Sequence, residues 1–362
     1  MTAYGRVFVA ARVTVAVVAA TALAGCGSTG TGGGSTGAPS PSAPVAGNVI
    51  RDPEARVSDW SLAVSPDGTR VAAPCSSGLC VWDTASGKLA TTLTGRTAVA
   101  WSPDGSLLAT EGPSAGQGNA VTVRLLSATD GRVVRDLVGH QAPDTTDARL
   151  GLTALSFSRD GSVLASAAHD GTVRLWSVGD GAAMQVLTVG AARPTAVAFS
   201  PDGSRLAVAS VQAPVSVWDV KTGAKTATLS SSPPQSYGVA FSADGLRLAT
   251  ATRDPEHVVR VVDAVTGEVR ATFPGTPAAH AVAFRPGADV VAFTDPVARV
   301  VVVWPVSAGA ARTLTGHTDG PHALAFSPDG KALYSASARD GILRWDADTA
   351  TLVARFERPP AG

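Results

Sequence analysis

A short block of sequence recurs seven times along this chain, and it limits the possible folds more than any other feature. One copy is AVAFSPDGSRLAVAS at residues 196–210. Each copy has an anchor residue directly before its Ser-Pro pair or the equivalent position. The anchors are Val64, Trp101, Phe157, Phe199, Phe241, Phe284 and Phe326, at intervals of 37, 56, 42, 42, 43 and 42 residues. A period near 42 residues indicates one repeat architecture and not a series of independent domains.

Each copy has the pattern of four short strands joined by turns. In the copy around Phe199, the segments TAVAFS, RLAVAS, VSVWDV and KTATLS are rich in alternating or β-branched apolar residues, and PDGS and KTGA separate them. Every copy also has a central Asp-Gly or Pro-Gly pair, which disfavours a helix. We therefore predict an all-β fold, a seven-bladed β-propeller of four-stranded antiparallel blades. The blades are expected to start near residues 57, 95, 151, 193, 235, 278 and 320.

Two segments, 316–346 (GHTDGPHALAFSPDGKALYSASARDGILRWD) and 164–177 (LASAAHDGTVRLWS), resemble WD repeats. The resemblance covers about 300 residues. The tryptophan that closes the third strand in this family is present in five copies, as Trp82, Trp176, Trp218, Trp304 and Trp345. The other two copies have Leu126 and Val262 there.

The resemblance also implies a polar network within a blade, formed by a loop His, a Ser or Thr of the second strand, a turn Asp and the Trp. The seventh copy matches at all four positions, which are His317, Ser335, Asp340 and Trp345. The third copy matches at Ser166, Asp170 and Trp176, and we expect an insertion to displace His140. The remaining copies lack much of the set. We predict that these residues satisfy buried polar groups and are structural, not catalytic.

The N-terminus has the organisation of a signal peptide. Arg6 and Arg12 precede an apolar or small-residue run over 13–24, and these twelve residues are too few to span a bilayer. The Leu-Ala-Gly-Cys sequence that ends at Cys26 resembles the lipobox of bacterial lipoprotein precursors. This implies a signal peptide over 1–25 and a lipid, such as diacylglycerol with palmitate, on Cys26. An ordinary secretory peptide cut near Ala24 is the alternative.

Residues 26–48 are expected to be a disordered tether, because Gly, Ser, Thr, Pro and Ala bury too little apolar area to offset chain entropy. The propeller would then occupy 49–362. The segment 351–357 is expected to complete the seventh blade, and pairing of Val49 and Ile50 outside it stays open. The protein is predicted to lie at the cell membrane, anchored through Cys26 and facing the extracytoplasmic side.

Cys75 and Cys80 flank a short loop in the first copy. We expect them to lie opposite each other on neighbouring strands and to form a disulfide, which export from the cytoplasm would permit. Two buried free thiols are the alternative.

The loops of an antiparallel blade fall on two faces of the disc. The turns between strands one and two, and between strands three and four, define the turn face, which is uniform here. The remaining loops define the loop face, which holds the insertions 111–120 and 141–151 and the irregular segments 231–237 and 252–257. We predict that a partner binds there, although loops also vary where nothing constrains them. Candidate contact residues are Glu111, Gln117, Asn119, Gln141, Asp144, Asp147, Arg149, Tyr237, Arg253 and His257.

Charge and motifs exclude several functions. The chain has 29 basic and 29 acidic residues with no basic run, so a nucleic-acid partner is not expected. No Gly-x-Ser-x-Gly or His-Glu-x-x-His motif occurs. His317, Asp319 and His322 could imitate metal ligands, but the WD resemblance assigns His317 to the polar network. No metal or cofactor is therefore predicted.

Together these features predict a monomeric, membrane-tethered scaffold that binds a protein or peptide on the loop face. Two alternatives stay open. One is a hydrolase or other enzyme acting at the central channel, and the other is a lipoprotein subunit of an envelope-assembly machine.

Overall fold

The computed structural model describes residues 61–113, 120–141, 151–190, 193–229, 235–252, 259–273 and 279–356. All of them belong to the unit Asn48–Gly362. Their 28 strands form seven antiparallel sheets, each made of four strands that are consecutive in sequence. The predicted seven-bladed propeller is confirmed. Within the described residues, no helix is long and apolar enough to cross a membrane.

The first four blades contain strands β1 to β16. Blade 1 comprises β1 (Ala63–Val64), β2 (Arg70–Cys75), β3 (Gly78–Asp83) and β4 (Leu89–Leu93). Blade 2 comprises β5 (Arg96–Trp101), β6 (Leu107–Glu111), β7 (Ala120–Ser127) and β8 (Val133–Gln141). Blade 3 comprises β9 (Leu152–Phe157), β10 (Val163–Ala168), β11 (Thr172–Ser177) and β12 (Ala183–Thr188). Blade 4 comprises β13 (Arg193–Phe199), β14 (Arg205–Val211), β15 (Ser216–Asp219) and β16 (Lys225–Thr228).

The last three blades follow the same order. Blade 5 comprises β17 (Ser236–Phe241), β18 (Arg247–Thr252), β19 (Val259–Asp263) and β20 (Val269–Phe273). Blade 6 comprises β21 (Val282–Phe284), β22 (Val290–Asp295), β23 (Val300–Pro305) and β24 (Arg312–Thr315). Blade 7 comprises β25 (Pro321–Phe326), β26 (Ala332–Ser337), β27 (Gly341–Asp346) and β28 (Leu352–Phe356).

Alternation along the second strand of a blade explains how the blades stack. On β10, Val163 and Ala165 pack against blade 4, whereas Leu164 and Ala168 pack against blade 2. Seven apolar clusters fill the ring, one between each pair of adjacent blades. Because two blades share each cluster, no blade buries its faces alone.

The third-strand tryptophan of a blade packs against the preceding blade. Trp176 lies in the cluster between blades 2 and 3, and Trp345 in the cluster between blades 6 and 7. Leu126 and Val262 occupy the same register position in blades 2 and 5, and they also pack on the preceding blade. The two substitutions keep an apolar contact but remove the indole N–H and much of the side-chain volume.

The ring closes by packing between blades 7 and 1. The last strand, β28, pairs with β27 and so forms the outer strand of blade 7. Tyr334 and Phe356 share an apolar cluster with Trp82 of blade 1, and Arg344 Nη1 donates to the Thr84 carbonyl oxygen at 3.0 Å. Pairing by Val49 and Ile50 lies outside the described residues.

Six of the seven blades build their first turn on the same hydrogen bonds. In blade 1, the Ser65 hydroxyl donates to Asp67 at 2.5 Å and accepts the Arg70 N–H at 2.9 Å. The equivalent pairs are Ser102–Asp104, Ser158–Asp160, Ser200–Asp202, Ser242–Asp244 and Ser327–Asp329. Hydrogen bonds from Ser200 and Ser204 lower the pKa of Asp202 to about 2. Each carboxylate therefore stabilises its own turn on the turn face.

The structure contains the predicted Cys75–Cys80 disulfide, with a Cα–Cα distance of 5.8 Å. The two cysteines are diagonal neighbours and not directly opposite, because Cys75 pairs with Gly78 and Cys80 pairs with Ala73. The turn between β2 and β3 has only two residues, because the ladder continues to the Cys75–Gly78 pair. At Gly78 the backbone has φ +136°, and a Cβ there would lie 2.4 Å from the Leu93 carbonyl oxygen. Glycine is therefore required to close this hairpin.

Replacing both cysteines by Cys75→Ser and Cys80→Ser should lower the free energy of unfolding by about 2 kcal/mol, because a short closed loop is released. Denaturant unfolding of the oxidised protein and the double variant measures the difference. Reductant should lower the stability of the unmodified protein by the same amount. Labelling of Cys75 or Cys80 by a thiol reagent in the native, unreduced protein would contradict the pairing.

Candidate binding face

The loop face surrounds the mouth of a central channel. The first strand of every blade begins at this face, so the N-terminal residues of these inner strands ring the opening. The channel encloses a cavity of about 480 Å³, lined mainly by residues at or just before the inner strands of blades 3 to 7. His169 after β10, Val211 at the end of β14, and Ser61 and Leu62 before β1 complete the lining. A cavity of this size is typical of a site for a small ligand or a few residues of a partner.

Glu111 is not an exposed contact residue, although the sequence places it on an insertion. Its side chain is buried, and its carboxylate accepts hydrogen bonds from the Thr97 hydroxyl at 2.7 Å and the Leu152 N–H at 2.9 Å. A Cβ at Gly151 would lie 2.3 Å from this carboxylate, so glycine is needed beside it. Glu111 therefore joins blade 2 to blade 3, which corrects its predicted role.

Two other candidates lie on described parts of the face. Gln141 is exposed at the end of β8, and its N–H donates to Asp170 at 3.1 Å. Tyr237 is half-buried at the start of β17 and lines the channel. The remaining candidates are outside the described residues, namely Gln117, Asn119, Asp144, Asp147, Arg149, Arg253 and His257.

Blade 3 holds a complete polar network. His140 is 2.9 Å from Asp170 through Nδ1 and 2.8 Å from the Ser166 hydroxyl through Nε2, and Trp176 Nε1 donates to the same hydroxyl at 2.8 Å. The expected displacement of His140 is therefore wrong. His140 lies on β8, where it pairs with Val121 of β7, and it precedes the insertion, so the added residues do not move it.

Blade 7 repeats this arrangement. His317 is 3.2 Å from Asp340 and 2.7 Å from the Ser335 hydroxyl, to which Trp345 Nε1 donates at 2.8 Å. Asp340 also accepts the Thr318 N–H at 2.7 Å. In both networks the histidine comes from the outer strand of one blade, or just after it, and the other three residues come from the next blade. Each network consequently ties two blades together.

The network carboxylates are held in their charged form. Burial raises the pKa of Asp170, but hydrogen bonds from His140 and Thr172 and the charge of His140 outweigh it and lower the pKa to about 2. The pKa of Asp340 is lowered for the same reasons, with hydrogen bonds from His317 and Thr318 opposing burial. Because the native pKa is depressed, this contribution to stability is complete above about pH 4 and is lost as pH falls towards 2.

The third-strand tryptophans of blades 4 and 6 have different neighbours. In blade 4, Trp218 Nε1 donates to Ser216 on its own strand at 2.8 Å. In blade 6, Trp304 packs edge-on against Phe273, with ring centroids 5.5 Å apart. The blades therefore share one architecture but not one set of polar contacts.

The histidines considered as metal ligands do not converge. His317 belongs to the blade 7 network, whereas His322 points to the channel, where its Nδ1 lies 3.2 Å from Nδ1 of His280. Within the part of the chain that the structure describes, no three His, Cys, Asp or Glu side chains are placed to hold a metal ion.

An aromatic cluster at the channel mouth is not evident from any single motif. Tyr237 stacks on His280 with ring centroids 4.7 Å apart and planes at 14°, and His280 meets His322 edge-on at 4.7 Å. Each lies four residues before the anchor of its copy. Superposition of the seven copies on their anchors would have revealed this shared position, because the period brings it to the same level in every blade.

The chain matches one family model, described as WD domain, G-beta repeat, at residues 131–177 and 310–346. The first stretch includes β8 to β11 and the second β24 to β27. Both run from the outer strand of one blade to the third strand of the next, and both contain a complete polar network. No curated protein matches the chain.

Ser166→Ala should lower the free energy of unfolding by about 2 kcal/mol, because it leaves the buried Trp176 N–H and the His140 ring nitrogen without their shared partner. Ser210→Ala is the matched control. Ser210 is equally buried, but its hydroxyl has no hydrogen-bond partner among the described residues. Its replacement should cost less than about 0.5 kcal/mol. Denaturant unfolding compares the two, and equal losses would contradict a stabilising network.

Proposed function

The chain is a seven-bladed propeller of the WD-repeat family, and we propose that it is a membrane-tethered, extracytoplasmic scaffold that binds a protein or peptide on its loop face. Propellers of this family commonly serve as protein-interaction scaffolds. The contrast between the two faces of the disc supports this proposal most directly. On one face the turns repeat the same internal hydrogen bonds, and the other face surrounds the channel mouth and is where the sequence predicts the irregular segments.

The turn face offers a partner little that is distinctive. Its serine and aspartate side chains are used within each turn, and the same turn recurs in six blades. The loop face differs from blade to blade and carries the aromatic and imidazole side chains at the channel mouth. Variable loops on a rigid scaffold are where binding residues usually lie.

Binding is better supported than catalysis at the channel. Acid–base or nucleophilic catalysis requires a base placed beside a nucleophile or a second acid. The described channel lining supplies histidines, but it holds no carboxylate and no cysteine beside them. The partner's identity would separate a general scaffold from a subunit of an envelope-assembly machine.

The tether is the second part of the proposal. Cys26 and the segment up to residue 48 lie outside the described residues, and the signal-peptide pattern supports lipid attachment. A flexible tether of this length would hold the propeller on the order of 25 Å from the bilayer. At this distance the loop face could meet another envelope protein.

Cys26→Ser should move the protein from the membrane fraction to the soluble fraction of its host, because the lipid-bearing thiol is lost. Fractionation followed by immunoblotting measures the distribution. The Cys75→Ser, Cys80→Ser variant keeps Cys26 and should stay with the membrane. Retention of the Cys26→Ser variant in a carbonate-washed membrane fraction would overturn the lipid anchor.

Deletion of 114–119 together with 142–150 should reduce capture of the partner at least tenfold, because the described strands that these segments connect, β6 to β7 and β8 to β9, are joined at the loop face. These limits keep Glu111, His140 and Gly151, which hold blades 2 and 3 together. Crosslinking and affinity capture from envelope fractions, quantified by mass spectrometry, measure the loss. Arg132→Ala with Lys221→Ala, on the turn face, should leave capture unchanged. Full capture by the double deletion would contradict binding through these insertions.

A further inference from the structure

A second cavity lies at the turn face, where blade 7 meets blade 1. Its volume is about 580 Å³, and it is here called the closing cavity. Its walls come from the first turns of both blades, from the residue after β3 and from strands β26, β27 and β28. Its polar lining includes Thr84, Asp329, Lys331, Tyr334, Arg344 and Asp346. A cavity of this size is typical of a site for a small ligand.

Tyr334 and Arg344 differ in character from the equivalent residues of the other six blades. They are direct neighbours across β26 and β27. In the other blades this cross-strand pair joins an alanine to a valine or a leucine, and it packs on the next blade. The six pairs are Ala72–Val81, Ala109–Leu125, Ala165–Leu175, Ala207–Val217, Ala249–Val261 and Ala292–Val303. The junction that closes the ring therefore has a phenol and a guanidinium where the other six are apolar.

The guanidinium of Arg344 has a charge without a counter-ion. Its Nη1 donates to the Thr84 carbonyl oxygen at 3.0 Å, and it forms no ion pair with a described residue. Its Nε is buried and has no hydrogen-bond partner. Its Nη2 also has no partner among the described residues, but it is not fully buried. Donors left unpaired inside a junction cost free energy, so a ligand that accepts from them would bind favourably.

The unpaired edge of Arg344 is the edge with which another arginine of this protein holds a carboxylate. In blade 2, Arg124 donates through Nε and Nη2 to the two carboxylate oxygens of Asp136, at 2.7 Å each. Nε and Nη2 are also the two atoms of Arg344 that have no partner. A carboxylate in the closing cavity would contact Nη2 directly, and a small shift of the side chain would bring Nε into the same fork.

Tyr334 adds a hydroxyl donor beside this guanidinium. Its side chain is buried and lines the cavity. Burial raises the pKa of Tyr334, and the charge of Arg344 and a hydrogen bond with Thr84 oppose this rise. The phenol is therefore protonated at neutral pH and keeps its hydrogen for donation.

The mouth of the cavity has the opposite charge. Asp329 is exposed there and Asp346 is half-buried. Hydrogen bonds within their turns, from Ser327 to Asp329 and from Thr349 to Asp346, lower the pKa of both carboxyls, so both are ionised at neutral pH. In each, Oδ1 accepts these bonds and Oδ2 accepts none from a described residue. Two carboxylate oxygens are consequently available to a cationic group.

The other charged lining residues do not reverse this arrangement. Asp67 uses both carboxylate oxygens within its own turn. Lys331 is exposed, and it is one cation among three carboxylates of the lining. A simple anion would meet these carboxylates without compensation, and a simple amine would leave Arg344 unpaired. A ligand that carries both charges fits both parts of the cavity.

We propose that the closing cavity binds a small zwitterion with a carboxylate and an ammonium group, such as a free amino acid. The carboxylate binds Nη2 of Arg344, with the Tyr334 hydroxyl as a second donor. The ammonium group lies towards the mouth and donates to Oδ2 of Asp329 and of Asp346. The site is on the turn face, so it is separate from partner binding on the loop face and stands or falls without it.

Isothermal titration calorimetry with the full chain at pH 7.5 tests the proposal. The probe is L-leucine, because Pro328 and Val353 give the cavity an apolar wall. L-leucinamide lacks the carboxylate and 4-methylpentanoate lacks the ammonium group, and each should bind at least tenfold more weakly than L-leucine. Absence of L-leucine binding, or equal binding of either analogue, would overturn the proposal.

An arginine variant locates the site. Arg344→Leu introduces the residue type that blades 2 and 3 have at this position, and it should weaken L-leucine binding at least tenfold. Arg174→Leu is the matched control, because Arg174 also has a buried Nε without a partner but does not line the cavity. It should leave binding unchanged. Unchanged binding by folded Arg344→Leu would overturn the proposal. If circular dichroism shows this variant to be unfolded, the comparison of L-leucine with its two analogues decides alone.

A second variant tests the ammonium contact. Asp329→Asn keeps the Oδ1 acceptor of the turn but removes the charge, so it should reduce the advantage of L-leucine over 4-methylpentanoate at least threefold. Asp202→Asn makes the same change in the equivalent turn of blade 4, away from the cavity, and should leave that advantage unchanged. A change in turn stability alone would affect both ligands alike. An unchanged advantage in Asp329→Asn, or an equal loss in both variants, would overturn the proposed orientation of the zwitterion.

Discussion

Burial of both faces of every blade by its neighbours is the constraint on which the rest of this structure depends. A strand such as β10 directs Val163 to one neighbour and Leu164 to the other, so neither face is covered until the ring is complete. The apolar cluster of Tyr334, Phe356 and Trp82 shows that the last junction is packed like the others. The blades are thus stable only when each packs on two neighbours in the complete ring.

Polar contacts add to this apolar packing at particular junctions between blades. The networks of His140 and His317 each bring a histidine from one blade to a serine, an aspartate and a tryptophan of the next. Glu111 adds a different bridge between blades 2 and 3. These residues look like candidates for catalysis or for partner contact, but they stabilise the junctions between blades. The channel mouth is therefore the better candidate for a binding site.

The repeat made the fold predictable, since the spacing, the turn residues and the strand alternation all agree. Local details depended on register, which spacing alone does not define. Cys75 and Cys80 were expected to face each other, but the ladder sets them diagonally. His140 was expected to move, but β8 extends through it. The stack of Tyr237, His280 and His322 involves residues 42 and 43 positions apart. It emerges only when the copies are superposed, because no local motif joins residues of different blades.

The segments matched by the family model run from the outer strand of one blade to the third strand of the next, and this offset from the blade has an evolutionary consequence. The segment 131–177 begins before an outer strand and ends with the third strand of the next blade, so it contains His140 together with Ser166, Asp170 and Trp176. A gene duplication of this segment would add one blade junction together with the histidine that links its two blades. A duplication that followed blade boundaries would separate the histidine from its partners. Propellers of this type can thus gain blades by duplication of a segment that spans a blade junction. The duplicated segment need not coincide with one blade.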